Sequence, residues 1–303
     1  LTKPLPQLNL VDPGKGIAPR GPADAEGNPV LRLALSSDPH WGAATSNPAA
    51  RISIMKRIDA ESPARDAFFI LGDNTEMGMS EPYWREEATD LKANLVKTPV
   101  RPILGNHDGL VNGQYHFEKY FFPDKFTTDS GSRFYYSIDA GPARIFVIDL
   151  LWGPEEFDAA QRSWFEKALA ATPKDKQIIV LSHCFVAASG YVEADTGKAW
   201  YDHAENLALV APILEKYHVS LMVSGHNHFM EYLERNGVAY AIVGAMGGKP
   251  DPKRVYVSPS SKWYLSDVFG YLDLDASAKG IALTFRDSEG KSLYETLVAP
   301  VAR

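Results

Sequence analysis

The chain has 303 residues, of which 45% are hydrophobic and 23% are charged, and its 23 glycines and 21 prolines form no periodic run. This composition excludes collagen, coiled coils and wholesale disorder, and it is typical of a globular protein with a substantial core. The formal net charge is −7, with acidic and basic residues interspersed, which argues against a nucleic-acid-binding surface. The single cysteine, Cys184, excludes an internal disulfide and a zinc module built from cysteines.

The first 30 residues are rich in proline and glycine, and we expect an extended lead over residues 1–30 followed by a single domain over residues 31–303. Because the chain starts at Leu1 and not at a methionine, two localisations are open. One is export to the periplasm or the outside after removal of a signal peptide, and the other is the cytoplasm, with an engineered start. No stretch of about 18 consecutive apolar residues occurs, so no membrane span is expected. The oligomeric state stays open.

Short apolar runs alternate with helical patterns in the first third of the domain. The predicted strands are Leu31–Ser36, 67–71 and 100–104, and the predicted helices are 47–60 and 81–97. Each strand runs into a polar loop. This alternation is typical of parallel strands joined by crossover helices, and ligands bind at the carboxyl ends of such strands.

The rest of the chain adds further strands. A hairpin is predicted over 133–150 around Gly141 and Pro142, and a helix is predicted over 158–171. Later strands are predicted at Gln177–Leu181, 219–224, Val238–Val243, 268–273 and 280–285. Since no repeat or linker interrupts residues 31–300, one continuous domain with two sheets is favoured.

Side chains of metal-ligand type follow several of these apolar runs. They are Asp38 and His40, Asp73, Asn106 and His107, His183, and His226 and His228. Carboxylate, imidazole and carboxamide groups without a thiolate suit zinc, iron, manganese and related ions. So many ligands exceed one tetrahedral site but are sufficient for two ions if one carboxylate bridges them. Taken singly, each motif could be a turn or a helix cap, but their joint occurrence at strand ends favours a two-metal site.

In chain order the motifs are Asp38-Pro39-His40, Gly72-Asp73, Gly105-Asn106-His107-Asp108, His183 and Gly225-His226-Asn227-His228. They resemble the pattern of the calcineurin-like metallophosphoesterases, which is DxH, GD, GNH followed by an acidic residue, a lone histidine and GHxH. The resemblance implies an α/β fold of the four-layer αββα type, with two mixed β-sheets flanked by helices. It also implies a dinuclear phosphoesterase whose cofactors are two divalent or trivalent metal ions, with manganese, iron or zinc favoured.

The resemblance further implies a role for each residue. One metal ion would be bound by Asp38, His40 and His228 and the other by Asn106, His183 and His226, with Asp73 as the bridge. His107 would stand over the substrate phosphate as a catalytic residue, with Asp108 beside it as an orienting partner. We also interpret Asn106 and His203 as candidate substrate contacts. His203 belongs to the loop 185–203, which we predict to be a substrate lid with an aromatic surface; an ordinary surface loop is the alternative.

Two positions depart from the purple acid phosphatases, a related group within this superfamily. Those proteins have a tyrosine three residues after the bridging aspartate and a glycine at the position of His40, whereas this chain has Glu76 and His40. A tyrosinate ligand and an obligate ferric ion are therefore not expected. Cys184, beside His183, is interpreted as a buried packing residue, because a two-metal mechanism needs no thiol.

The favoured function is metal-dependent hydrolysis of a small-molecule phosphomonoester or small phosphodiester, nucleotides and cyclic nucleotides included, by water activated for in-line attack. Two alternatives stay open. His226-Asn227-His228, taken literally, is the HNH signature of nucleases, although the chain lacks the basic surface of such enzymes. The other alternative is a non-catalytic metal-binding domain, although every catalytic position is filled.

Overall fold

Two large β-sheets lie at the centre of the computed structural model, which describes residues 4–194 and 196–300. In chain order the strands are β1 (Leu31–Ser36), β2 (Ala67–Ile70), β3 (Val100–Pro102), β4 (Tyr136–Ala140), β5 (Ala143–Val147), β6 (Gln177–Leu181), β7 (Tyr191–Val192), β8 (Ala199–Trp200), β9 (Leu221–Ser224), β10 (Met230–Arg235), β11 (Val238–Val243), β12 (Ser261–Leu265), β13 (Gly270–Ser277), β14 (Gly280–Asp287) and β15 (Ser292–Val298). The α-helices are α1 (Pro48–Ala60), α2 (Glu81–Asn94), α3 (Asn106–Gly109), α4 (Gln114–Phe121), α5 (Ala159–Ala170), α6 (Ala204–Leu209) and α7 (Ala211–Lys216). A short 3₁₀ helix spans Pro13–Lys15.

Both large sheets are mixed. The first has the strand order β15-β14-β13-β1-β2-β3, and the second has the order β12-β10-β11-β9-β6-β5-β4. In the first sheet β1, β2 and β3 are parallel, and β13 pairs antiparallel with β1. In the second sheet β5, β6, β9 and β11 are parallel. The β7–β8 hairpin forms a separate two-stranded sheet.

The hydrophobic pattern of β1 and β2 explains the layering. Leu33, Leu35 and Phe69 lie in the core between the two sheets, whereas Phe68 and Ile70 pack against the helices outside the first sheet. Successive side chains of a strand point to opposite faces, so a strand that is apolar on both faces must be covered on both. Helices α1, α2 and α4 cover the first sheet, and α5 and α7 cover the second. The predicted αββα sandwich is therefore confirmed.

Three strands of the two large sheets escape prediction from sequence, namely β10, β12 and β15, and so does the short β7–β8 hairpin. β12 and β15 are edge strands, and most of their residues are exposed or half-buried, so no continuous apolar run marks them. β10 contains a charged residue, Glu231, that is fully buried. A buried carboxylate breaks the apolar pattern from which a central strand is predicted.

The N-terminal lead packs on the first sheet. Val11 and Ile17 are buried in the inter-sheet core, and Leu10 forms a bridge with Val100 at the start of β3. Apart from the 3₁₀ turn, residues 4–30 contain no regular helix or strand. Across the part of the chain that the structure describes, no helix combines the length and the apolar composition needed to cross a membrane.

Candidate metal centre

The predicted ligands meet at one edge of the sandwich. They follow β1, β2 and β3 of the first sheet and β6 and β9 of the second, in loops or, for Asn106, at the start of α3. Because these strands are parallel neighbours within each sheet, their carboxyl ends converge. Ligand atoms within 4.8 Å of one another form three groups: Asp38, His40 and His228; His40, Asp73 and His107; and Asp73, His183 and His226.

The first half of the centre consists of Asp38, His40 and His228. Asp38 Oδ1 lies 3.3 Å from His228 Nε2 and 4.0 Å from His40 Nε2, and the two Nε2 atoms lie 3.2 Å apart. The Nδ1 atoms of the two histidines contact groups outside the centre. His40 Nδ1 lies 2.8 Å from Glu76 Oε2, and His228 Nδ1 donates to the Lys249 carbonyl at 2.7 Å. Such outer contacts orient the rings and leave the inner nitrogens for a metal ion.

The second half of the centre consists of Asn106, His183 and His226. Asn106 Oδ1 lies 2.8 Å from both His183 Nε2 and His226 Nδ1, and these two nitrogens lie 3.1 Å apart. His183 is fully buried, and its Nδ1 donates to the carbonyl of Leu71 at 2.8 Å. This half is thus built from neutral oxygen and imidazole groups.

Asp73 lies between the two halves. Its Oδ2 is 3.6 Å from His40 Nε2, and its Oδ1 is 3.3 Å from His183 Nε2. One carboxylate oxygen therefore faces each half. This is the placement that the sequence-based prediction of a bridging carboxylate requires.

The chemistry of these donors fits metal ions. Two imidazole nitrogens in contact can share only one proton, and such contacts occur in both halves. Asp38 Oδ1 is buried without a hydrogen-bond partner among the described residues, which is costly unless a cation is its partner. The mixed oxygen and nitrogen ligands suit manganese, iron or zinc. The predicted cofactors, a pair of metal ions, are confirmed, and the assignment of each side chain to one of the two ions stays a prediction.

Several ligands are held in backbone conformations that side chains rarely adopt. The φ angles are 56° at Asp38, 48° at His40, 48° at Asp73 and 69° at His226, all in the left-handed region. Each such residue costs about 1–3 kcal/mol. The loops are held by backbone bonds from Asp38 to the Gly72 carbonyl and from His40 to the Asp73 carbonyl, both 3.1 Å long. Interactions elsewhere in the fold thus compensate for this backbone strain and keep the ligand side chains in position.

Electrostatics distinguish the two halves. Burial alone would lower the pKa of His228, but the Asp38 carboxylate beside it raises that pKa to about 10. Burial and the neighbouring His183 lower the pKa of His226 to about 3. Burial would raise the pKa of Asp38, yet His228 holds it well below its ordinary value. At neutral pH without metal, the first half therefore contains an ion pair between Asp38 and protonated His228, whereas His226 in the second half is neutral.

His107 stands at the rim of the centre, with 29% of its side chain exposed. Its Nδ1 donates to the Glu76 carbonyl at 2.8 Å, which leaves Nε2 as the free nitrogen. Its ring lies edge-on to that of His40, at a centroid distance of 4.9 Å. Burial opposes protonation, but Asp73 and Glu76 raise the pKa of His107.

Asp108 lies beneath the centre and is fully buried. Its carboxylate accepts hydrogen bonds from the backbone of Asn74, Thr75 and Gly105 and from the Asn74 amide, at distances between 2.8 and 3.1 Å. Burial and Asp73 raise its pKa to about 6. The structure therefore places Asp108 as the group that joins the two loops around Asp73 and His107, so its predicted orienting role would be exerted through the backbone.

The segment 185–203 lies beside the second half; residue 195 is outside the described residues. The rings of Trp200 and Phe185 lie 5.5 and 6.1 Å from that of His226. His203 packs against the same two rings, and its Nδ1 accepts the Asn206 N–H to cap α6. The structure therefore does not bring His203 into the ligand groups.

Two supporting residues were missed from sequence. Glu76, noted only as a departure from a related group, holds His40. Asp251 accepts the backbone N–H of His228 at 2.7 Å, and nothing in the sequence marks it. Cys184 is fully buried, as expected, and burial raises the pKa of its thiol.

A family model matches this part of the chain. The calcineurin-like phosphoesterase model matches residues 31–230, which contain every ligand described above. The chain therefore belongs to the calcineurin-like phosphoesterase family. The predicted family and the predicted enzyme class, metallophosphoesterase, are confirmed.

Curated relatives include tartrate-resistant acid phosphatases type 5. The human protein is 27% identical over 329 residues, covering 93% of this chain and 95% of the relative. The pig protein is 25% identical over 338 residues, covering 98% of this chain and 95% of the relative. The similarity thus extends well beyond the metal-ligand motifs.

Solved structures share the fold. The purple acid phosphatase PPD1 of yellow lupin superposes with a TM-score of 0.70 at 17% identity; the match covers 90% of this chain but only 55% of the lupin chain. GAP50, described as the anchor in the inner membrane complex of Plasmodium, superposes with a TM-score of 0.68 at 19% identity, covering 90% of this chain and 89% of GAP50. At these identities the likeness shows the fold alone. The substrate must be argued from the site.

Proposed function

We propose that this protein hydrolyses phosphomonoesters at its dinuclear metal centre. The observation that carries the proposal is the pair of ligand groups with converging lone pairs, bridged by Asp73 and bordered by one partly exposed histidine. When bound, a metal pair supplies positive charge for the phosphoryl oxygens and lowers the pKa of water. The names of the curated relatives, which are acid phosphatases, favour a monoester over a diester.

His107 is the proposed acid of the reaction. Because its Nδ1 donates to the Glu76 carbonyl, the proton available to substrate is on Nε2. The raised pKa of His107 keeps this proton in place at weakly acidic pH. His107 donates a hydrogen bond to the phosphoryl group and, as the ester P–O bond breaks, transfers the Nε2 proton to the departing alkoxide oxygen, which leaves as the alcohol.

The nuclease interpretation of His226-Asn227-His228 has no support in the geometry. Asn227 Oδ1 accepts the indole N–H of Trp200 at 2.8 Å, and Asn227 is fully buried. Its side chain therefore fixes the loop 185–203 beside the ligands instead of serving a catalytic constellation.

The test compares 4-nitrophenyl phosphate with bis(4-nitrophenyl) phosphate as substrates, using protein loaded separately with manganese, zinc or iron and assayed for bound metal. We expect the monoester to be cleaved faster. His107→Asn should lower kcat by about a hundredfold while two metal ions stay bound. The control His218→Asn, outside the site, should change neither kcat nor the metal content.

Two results would count against the proposal. If His107→Asn lost metal in proportion to its activity, His107 would be a ligand, as its place in the group with His40 and Asp73 also allows. If protein with two bound ions cleaved neither ester, the non-catalytic alternative would be favoured.

A further inference from the structure

An open cavity of about 660 Å³ adjoins the second half of the metal centre. Trp152, Phe185 and Trp200 form part of its wall. The same rings contact His226, with centroid distances of 5.5 Å for Trp152, 6.1 Å for Phe185 and 5.5 Å for Trp200. The same aromatic rings therefore border both the cavity and the metal ligand His226.

The aromatic wall is both accessible and fixed. Trp152 is 51% exposed and Tyr201 is 43% exposed, and exposed rings gathered at one cavity are typical of a ligand-binding groove. The Trp152 carbonyl accepts the Cys184 thiol at 3.1 Å, and the Trp200 indole is bonded to Asn227. Phe185 and Trp200 stand nearly perpendicular, at 85°. The rings thus present a preorganised surface.

The charge around this wall is negative. Among the described lining residues, the carboxylates Glu155, Asp202 and Glu205 are opposed by one ammonium group, Lys198. Asp202 is fixed by the backbone N–H of Ala188 at 2.9 Å and by a neighbouring serine hydroxyl. Aromatic faces attract organic cations through the ring quadrupole, and nearby carboxylates add to that attraction. The same carboxylates repel anions.

We propose that this cavity binds an organic ammonium group, so that the substrate is a phosphomonoester whose alcohol carries an alkylammonium. The proposal rests on the proposed function, because it assumes that the phosphate lies at the metal centre. It separates the two ends of the substrate by charge: the phosphate meets the metal ligands and His107, and the cation meets Trp152 and the carboxylates. A polyphosphorylated leaving group would meet like charge in the cavity.

The experiment uses a matched pair of substrates with the metal-loaded protein. Phosphocholine and 3,3-dimethylbutyl phosphate have the same shape, but a carbon replaces the nitrogen in the second, and phosphate release measures both. We expect kcat/KM to be about tenfold higher for phosphocholine, in keeping with a desolvated cation–π contact. A ratio near one in an active protein would overturn the proposal.

Variants test whether the cavity residues cause the substrate ratio, which is kcat/KM for phosphocholine divided by kcat/KM for 3,3-dimethylbutyl phosphate. The double variant Glu155→Gln with Glu205→Gln should reduce the substrate ratio by about threefold or more and leave the neutral ester unchanged, whereas Glu295→Gln, exposed on β15, is the control. Trp152→Leu should also reduce the ratio, and Tyr115→Leu, another exposed ring outside the cavity, should not. A ratio that none of the cavity variants changes would overturn the proposal.

Direct binding separates failure of this proposal from failure of the proposed function. Choline titrated into the protein should quench tryptophan fluorescence, and this change should disappear in Trp152→Leu, while 3,3-dimethylbutanol should bind at least about threefold more weakly. Choline binding without hydrolysis of any ester would support the cavity and contradict the proposed function. Hydrolysis of 4-nitrophenyl phosphate without choline binding would do the reverse.

Discussion

The two halves of the metal centre are built from the same kind of strand-end loop but differ in charge. In the first half the Asp38 carboxylate raises the pKa of His228 to about 10, and Glu76 contacts the outer nitrogen of His40. In the second half Asn106 replaces a carboxylate, and the pKa of His226 is lowered to about 3. Without metal at neutral pH, therefore, His228 carries an additional proton, whereas the imidazole of His226 is neutral.

The difference extends to the layers behind each half. Arg51, on α1, donates to the Pro39 carbonyl of the first-half loop at 2.9 Å, and the buried Glu87 on α2 lies within its electrostatic reach. Behind the second half, Cys184 and Phe185 lie in an apolar cluster. One half is thus supported by buried charge and the other by hydrophobic packing. We infer that the two halves respond differently to pH and to substitution.

Removal of the predicted bridging ligand, Asp73, should weaken metal binding in both halves at once. Asp73→Asn takes one anionic oxygen from each half, and we expect loss of bound metal and a loss of hydrolysis of about a thousandfold. Metal content and kcat/KM for 4-nitrophenyl phosphate measure the effect. The control is Asp124→Asn, at a side chain that is 97% exposed. Full metal occupancy with normal activity would contradict the bridging assignment.

A substitution at Glu76 should affect the first half only. Glu76→Gln keeps the side-chain size but weakens the hydrogen bond that orients His40, and losses of such supporting contacts weaken metal affinity by about 10- to 100-fold. We expect metal titration to show one weakened and one unchanged site. The control is Glu118→Gln, whose carboxylate pairs with Arg133. Equal weakening of both sites would mean that the halves are not independent.

Metal binding should depend on pH in the first half. His228, with a pKa of about 10, is protonated at neutral pH and must lose its proton to bind metal, so it contributes a gain in affinity of about tenfold per pH unit between about pH 6 and 9. His226, with a pKa of about 3, contributes no such dependence. Calorimetry of Asn106→Ala, which retains the first half, and of His228→Ala, which retains the second, in buffers of different ionisation enthalpy measures the protons released.

The reverse result would be informative. If Asn106→Ala released no more protons on metal binding than His228→Ala, His228 would not be protonated in the metal-free protein, and the two halves would not differ in protonation. The control is the unmodified protein, which should release the sum of the two.

The ligand motifs could be predicted from sequence because each ligand follows an apolar run directly. His183 and His226, for example, come from different strands, yet parallel neighbours must end at the same edge. The supporting residues could not be predicted in this way. Asp251 reaches His228 from a loop after β11, and Glu87 approaches the site from a helix, so their roles depend on packing between distant elements.

The segment 185–203, predicted to be a lid, shows the same limit. The sequence marks Trp200 and His203 as polar or aromatic residues in a loop but does not indicate which of them faces the ligands. In the structure Trp200 contacts the ring of His226, whereas His203 caps a helix. A helix cap requires only that the helix starts there, and the start of so short a helix is poorly marked by the apolar pattern.

The smallest expected effect concerns a buried carboxyl group, that of Glu87, behind the first half. Glu87 is fully buried, and neither carboxylate oxygen has a hydrogen-bond partner among the described residues. Burial and Asp108 raise its pKa well above the ordinary value. Above about pH 4.3 the unfolded chain loses this proton while the folded protein keeps it, so stability falls as pH rises.

Glu87→Gln cannot ionise and should remove this dependence. We expect its Tm, relative to that of the unmodified protein, to be at least about 2 °C higher at pH 8 than at pH 4, with both proteins kept metal-free by a chelator. The control is Glu86→Gln, the exposed neighbour on the same helix, for which the Tm difference should not change with pH. If the Tm difference between Glu87→Gln and the unmodified protein were also the same at both pH values, Glu87 would be ionised in the folded protein. Its carboxylate would then be paired with the Arg51 guanidinium instead of carrying a proton.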